Sequence, residues 1–354
     1  MRTLVVDRRL FMGGMLLFPA VAAACGGQPR TAVPADPGSP AGGGGRPSDK
    51  DWDAFDGHLR GLAEAGMFSG AVLVAGNGQP LLRRGYGMAD RARGVANTAG
   101  ARFCIASMGK MFTAVAVAQL VGRGALSFDD TVGKHVPGFP AEIADAVTIH
   151  HLLTHTSGMG DVLRFAPPAD PAPTLTDLVR QIAAEPLRFR PGSGFAYSNS
   201  GFIVLGAVIE HVTGNDYAAH VREHVFEPAG MTDTADLVQF GNPSGGAYST
   251  VDDMLRFAEA LTSHRLLDQP LTDTVLAGKV DTDRPGGPPE DRYAYGFTDQ
   301  RINGVRIVGH NGGNPGHEAQ LDIYPDLAHV VVILTSQDGV LLPAIRRSQK
   351  ILTT

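Results

Sequence analysis

The sequence predicts an α/β (α+β) domain: an antiparallel sheet flanked by helices, with a mostly helical domain inserted between its strands. Three observations predict it. A helix and a hairpin open the folded part at 51–124, strand patterns dominate its last third within 246–354, and residues 125–245 between them are patterned mainly as helix. Strands from both ends can share one sheet only if the insertion sits to the side.

Taken in order, residues 1–25 read as an export signal. Arg8-Arg9-Leu10-Phe11-Met12 resembles the twin-arginine signal of folded-protein export, and an apolar stretch from Leu10 to Ala24 follows it. That stretch is too short and interrupted to span a bilayer comfortably. Ala22-Ala23-Ala24 then precedes Cys25, which fits a lipobox with Cys25 as the lipidated N-terminus, or a simple small-residue cleavage site. Residues 26–50 are rich in Gly, Pro, Ala and Ser and read as a disordered tether, because they cannot bury enough apolar surface to offset their ordering entropy. The expected location is the cell envelope, with membrane attachment through Cys25.

The folded domain is expected over 51–354. Asp51 to Met67 has helical periodicity, with Trp52, Phe55, Leu59 and Leu62 on one side. Two strand-like runs follow, Gly70–Val74 and Gln79–Tyr86, joined by Gly76-Asn77-Gly78, a strong hairpin signal. A helix over Ser107–Val121 is apolar nearly all round and therefore expected at the centre. Further helices are expected over Ile149–Thr154, Leu175–Ala184, Phe202–Thr213 and from Ser249 through Leu261. Strands are expected over Arg292–Phe297, Val305–Gly309, Glu318–Tyr324 and His329–Thr335, with a turn at Asn303-Gly304 and a last helix over Val340–Leu352.

Bulk composition excludes some functions. The chain has 354 residues, 43% hydrophobic and 19% charged, with a formal net charge of -6. Arg2, Arg8, Arg9 and Asp7 give the first 24 residues a net +2, so the remainder carries -6 - 2 = -8. That balance argues against a nucleic acid or an anionic surface as partner. The two cysteines, Cys25 and Cys104, build neither a disulfide framework nor a cysteine metal site. Cys104 is expected to pack as a small buried hydrophobe. The histidines show no shared metal-ligand spacing, so no metal and no cofactor are expected.

The chemistry points to Ser107-Met108-Gly109-Lys110. Positions i and i+3 share a helix face, so an amine can take the proton of the serine hydroxyl. Only five lysines occur, at 50, 110, 134, 279 and 350, and no other Ser-x-x-Lys. A helix start also stabilises negative charge and disfavours an ammonium ion. Three further segments join it: Tyr197-Ser198-Asn199 in a polar loop before an apolar helix, His310-Asn311-Gly312-Gly313 at the end of a strand, and Thr154-His155-Thr156-Ser157-Gly158 between them in the chain.

In that order, Ser107-x-x-Lys110, Tyr197-x-Asn199 and His310-x-Gly312 resemble the penicillin-recognising serine hydrolases, on the branch of class C β-lactamases, esterases and D-aminoacyl peptidases. The resemblance spans roughly residues 52–350 and implies a β-lactamase/transpeptidase-like fold. It implies that Ser107 attacks an acyl carbonyl and becomes an ester. Lys110 and the Tyr197 phenol would share the proton traffic, Lys110 keeping the phenol acidic and Tyr197 protonating the leaving group before activating water. Asn199 would donate to the substrate amide or orient Lys110. The backbone N–H groups of Ser107 and Gly313 would form the oxyanion hole, with His310 and Gly312 beside the substrate. His155 and Ser157 are expected to be structural, and His317 lies just past the glycine loop.

One departure bears on substrate. Where β-lactamases of this kind carry Lys-Thr-Gly, this chain has His310-Asn311-Gly312. A mostly neutral imidazole is a poorer anchor for a penicillin carboxylate. The expected activity is therefore that of an esterase or D-aminoacyl peptidase on a small-molecule or short-peptide acyl substrate. A true class C-like β-lactamase and a penicillin-binding sensor without turnover are the alternatives. An α/β-hydrolase is excluded because no serine sits in Gly-x-Ser-x-Gly. Pocket walls are expected from loops around 160–175, 236–248 and 280–292. The patterns carry no oligomeric state.

Overall fold

One eight-stranded antiparallel sheet organises the computed structural model, which describes residues 49–163, 173–235, 242–282 and 290–354. The export signal, Cys25 and all but the last two residues of the tether lie outside the described residues, as do 164–172, 236–241 and 283–289 of the expected pocket loops. Six helices and eight strands matter here. The helices are α1 (Asp49–Glu64), α2 (Lys110–Gly122), α3 (Leu175–Ala183), α4 (Asn199–Thr213), α5 (Val251–Thr262) and α6 (Leu341–Thr353). The sheet strands are β1 (Gly70–Gly76), β2 (Gln79–Tyr86), β3 (Val280–Asp281), β4 (Glu290–Tyr293), β5 (Thr298–Ile302), β6 (Val305–Asn314), β7 (His317–Tyr324) and β8 (His329–Thr335).

Their spatial order is β2-β1-β8-β7-β6-β5-β4-β3, so β1 from the N-terminal part pairs with β8 from the C-terminal end, Gly70 opposite Thr335. The helices within 125–245 lie outside the sheet. Asn77 (φ +51°) and Gly78 (φ +73°) form the first hairpin turn, and Asn303 (φ +51°) and Gly304 (φ +82°) form the turn between β5 and β6. Two left-handed residues give a turn whose twist matches that of the strands.

Each sheet face has its own core, as a period of two requires. Val72 and Val74 of β1 point to Trp52, Phe55 and Leu59 of α1 and to Leu341 and Ile345 of α6. Ala71, Leu73 and Ala75 point the other way, into the larger core that holds α2, α4 and α5. There α2 is buried nearly all round, and Phe112 meets Phe226 and Phe257 edge-on at 5.0 and 4.9 Å.

Two expectations need correction. Arg292–Phe297 is not one strand. The chain turns after Tyr293 and resumes as β5 at Thr298, because Gly296 (φ +72°) packs against α2, where a Cβ would stand 2.9 Å from the Lys110 carbonyl oxygen. A short ladder not expected from sequence pairs Phe103 with Ser249 and Cys104 with Tyr248.

Candidate active site

That short ladder delivers the chain to Ser107. The Ile105 N–H donates to the Ala247 carbonyl at 2.9 Å. Ala106 then takes φ +44°, a conformation that costs an L-residue about 1–2 kcal/mol. It bends the backbone into a 3₁₀ turn, Ala106–Gly109, and the α-helix proper starts only at Lys110. Ser107 is thus in the tighter turn before the helix rather than on its first α turn. Ile105 and Gly109 occupy the cap positions without side-chain capping bonds, so the Ser107 hydroxyl is not committed as a cap.

Lys110 is fully buried. Its Nζ lies 2.7 Å from Asn199 Oδ1, 2.6 Å from the Ser244 carbonyl oxygen and 3.2 Å from Ser107 Oγ. A neutral amine has two N–H donors. Both are taken by the two shorter contacts, which turns the lone pair toward Ser107. Burial lowers the Lys110 pKa to about 7, and the Asp161 carboxylate opposes that by raising it. An amine with such a pKa is substantially neutral at physiological pH and can accept a proton.

Asn199 is the first residue of α4, and its two ends do different work. Its oxygen accepts from Lys110, while its Nδ2 donates to Asp161 Oδ2 at 3.0 Å. Of the two roles the resemblance implies, this arrangement is the one that orients Lys110. Tyr197, two residues earlier, is 40% exposed. Lys110 Nζ lies over its ring, 4.9 Å from the centroid, and the His155 imidazole packs against it at 4.2 Å between centroids.

The β6 strand forms the opposite wall. β5 pairs with it only as far as Gly309, opposite Thr298. Hydrogen-bonding direction alternates along an antiparallel strand. The two-residue turns pair Ile302 with Val305 and Asn314 with His317, so Asn311 and Gly313 point their N–H and C=O groups away from β7. Among the described residues no strand covers that side, and both residues are exposed. Gly312 brings this edge against the nucleophile. A Cβ there would stand 2.1 Å from the Ile105 carbonyl oxygen and 3.1 Å from the Ser107 nitrogen. Gly313 has open space around it.

His310 is only 2% exposed. Its Nδ1 contacts the Asn311 carbonyl oxygen, which can only accept, so Nδ1 carries the proton and Nε2 accepts from the Tyr293 hydroxyl at 2.9 Å. The ring lies between Tyr293 and Tyr197, its centroid 5.8 Å from the first ring and 6.3 Å from the second. Cys104 is buried, with Asn314 Nδ2 at 3.6 Å from its sulfur. Ser157 is buried, its hydroxyl accepting from the Met159 N–H at 3.2 Å. His317 lies 6.3 Å from the Tyr248 ring, between centroids. Among the described residues no three His, Cys, Asp or Glu side chains are grouped to hold a metal, and no helix is long and apolar enough to cross a membrane.

Sequence reasoning missed Asp161, Tyr293 and the Ser244 carbonyl. The one available signal was an acid just after Thr154–Gly158, but its partner Asn199 is 38 residues away. A backbone carbonyl leaves no residue-type signal.

A family model described as Beta-lactamase matches residues 55–352. The chain is 40% identical over 188 residues to esterase EstB of Burkholderia gladioli, covering 49% of this chain and 48% of that one. It is 27% identical over 322 residues to penicillin-binding protein 4* of Bacillus subtilis (strain 168), covering 78% and 70%. The matches therefore span about half the length of the first relative and 70% of the second. The solved penicillin binding protein of Bacillus halodurans superimposes with a TM-score of 0.73 at 29% identity, over 83% of this chain and all of that one.

Proposed function

The chain belongs to the Beta-lactamase family of serine hydrolases, and from that premise we propose that it is an exported enzyme cleaving an ester or amide through an acyl-enzyme on Ser107. One observation carries the reading: the fully buried Lys110 amine lies 3.2 Å from Ser107 Oγ, held there by closer contacts to Asn199 Oδ1 and the Ser244 carbonyl oxygen.

The steps follow from that geometry. Lys110 takes the Ser107 proton as Oγ bonds to the acyl carbonyl carbon. The carbonyl oxygen becomes an anion and accepts from the N–H groups of Ser107 and Gly313. Two fixed donors of this kind contribute roughly 3 kcal/mol each to the barrier reduction. Collapse breaks the bond to the leaving group, which receives a proton through Tyr197. Water, passing a proton to Tyr197, then attacks the Ser107 ester; the bond to Oγ breaks, Oγ takes that proton back, and the acid leaves.

The substrate is a small or short-peptide acyl donor laid along the open edge of β6. His310, buried where β-lactamases of this kind carry a lysine, supports a neutral ester or amide over a carboxylate-bearing β-lactam. The 40% identity to a protein named as an esterase supports the same choice. The Arg8-Arg9 signal and the Ala22–Cys25 junction support export, with Cys25 as the anchor when lipidated.

Intact-mass spectrometry after exposure to a p-nitrophenyl ester, a D-Ala-D-Ala peptide and a penicillin tests the proposal. Repeated ester turnover with a transient adduct at Ser107 is expected, and none with Ser107→Ala. Turnover that survives Ser107→Ala overturns it. Nitrocefin turnover would assign a β-lactamase instead, and a lasting penicillin adduct without ester turnover a sensor.

A further inference from the structure

The mechanism above leaves one buried imidazole at the site without a task. His155 is 1% exposed and takes φ +59°, a left-handed conformation uncommon for a residue of its size. Its contacts surround Tyr197. Its backbone carbonyl accepts from the Ala196 N–H at 3.0 Å, and its Nδ1 accepts from the Ser198 N–H at 3.2 Å. The residues immediately before and after Tyr197 are therefore tied to the same histidine. Its ring also lies against the Tyr197 ring, 4.2 Å between centroids and tilted 38°. Phe202 at 5.2 Å and Tyr293 at 4.6 Å back it from other elements.

We propose that His155 is the positioning residue of Tyr197, gripping the backbone on both sides of it and stacking on its ring so that the phenol is held for proton transfer at Ser107. The left-handed backbone is part of the device: it lets one residue present both its carbonyl and its ring to the same loop. Because Nδ1 accepts a hydrogen bond, the proton of the neutral ring sits on Nε2, which has no hydrogen-bond partner among the described residues. The titratable groups that face the ring are Lys110, His310, Tyr197 and Tyr293. Burial first, then the neighbouring Lys110 and His310, hold its pKa well below the usual imidazole value. It stays neutral wherever Lys110 is able to act as base, so the grip is not lost in the working pH range.

The inference rests on the catalytic role proposed for Tyr197, and a double-mutant cycle tests the two apart. His155→Gly keeps the left-handed backbone and removes both the ring and the acceptor. His155→Asn tolerates the same backbone and restores an acceptor. On a p-nitrophenyl ester, with rates normalised to folded protein by near-ultraviolet dichroism, His155→Gly is expected to lower kcat about 10²-fold with KM nearly unchanged. His155→Asn should recover roughly a tenfold part of that loss. In a Tyr197→Phe background neither change should cost more than about twofold, since there is no phenol left to position. If His155→Gly does not fold, the same cycle is run with His155→Asn, whose cost must likewise vanish beside Tyr197→Phe. A cost of equal size with and without the phenol overturns the inference and leaves the proposed function standing. Full activity in Tyr197→Phe alone removes the Tyr197 role itself.

Discussion

The two faces of the sheet bury charge in opposite ways. Under α1 and α6, Asp56 is 8% exposed and meets cations directly, Arg84 at 2.9 Å and Arg60 at 3.3 Å, with the Tyr86 hydroxyl donating at 2.8 Å. On the other face Lys110 is buried completely, and the carboxylate of Asp161 reaches it only through Asn199. A buried ion in contact with its counter-ion keeps its charge. A buried amine held one residue away from its carboxylate has its pKa lowered, to about 7 for Lys110. The lesson is that burial shifts a charge most where the counter-ion is kept out of contact with it.

The largest expected effect comes from removing the withheld charge. Lys110→Met should lower kcat by about 10²- to 10⁴-fold, while urea unfolding shows stability at least equal to the parent's, because a buried amine is exchanged for an apolar chain of similar length. Marked loss of stability would show that Lys110 behaves like Asp56. Gly312→Ala comes next. Its Cβ would collide with the Ile105 backbone, forcing β6 away from Ser107 by a fraction of an ångström. A displacement of that order is expected to cost about 10²-fold in kcat/KM, with the rate of single-turnover acylation as the readout.

The pH dependence sharpens the comparison further. Lys110 titrates near 7, so kcat/KM should rise with pH through that value as the amine loses its proton. Asp161→Asn removes the influence that raises the Lys110 pKa, and the acid limb should move to lower pH. A limb that stays put would cut Asp161 out of the site. The same shift bears on stability. The folded pKa lies below the unfolded one, so between about 7 and 10.5 the unfolded chain binds the extra proton and stability rises with pH. That rise should be missing in Lys110→Met. The smallest effect on rate belongs to Asp56→Asn, which should destabilise the fold by about 1–3 kcal/mol in thermal or urea unfolding and leave kcat unchanged.

Much of this was legible from residue types alone. The sheet that closes through β1 and β8 follows from strand patterns at both ends, and Ser107, Lys110, Tyr197 and Asn199 meet where the ordered motifs imply. What escaped was set by long-range contact. Gly296 breaks a strand pattern because α2 lies beneath it. Ala106 turns left-handed because the Phe103–Cys104 ladder and α2 must meet at Ser107. Asp161 and Tyr293 act through partners far away in sequence, and Ser244 acts through a carbonyl that every residue possesses. His155 looked like the end of a helix, and only its bonds to Ala196 and Ser198 connect it to Tyr197.

The uncovered side of β6 has a consequence for how this chain behaves among its neighbours. An open strand border is ordinarily a place where polypeptides stick and aggregate. Among the described residues just two of this edge, Asn311 and Gly313, face outward, spaced by one pleat repeat of about 6.8 Å. So short an open stretch offers a neighbouring chain too few backbone groups to template a fibril.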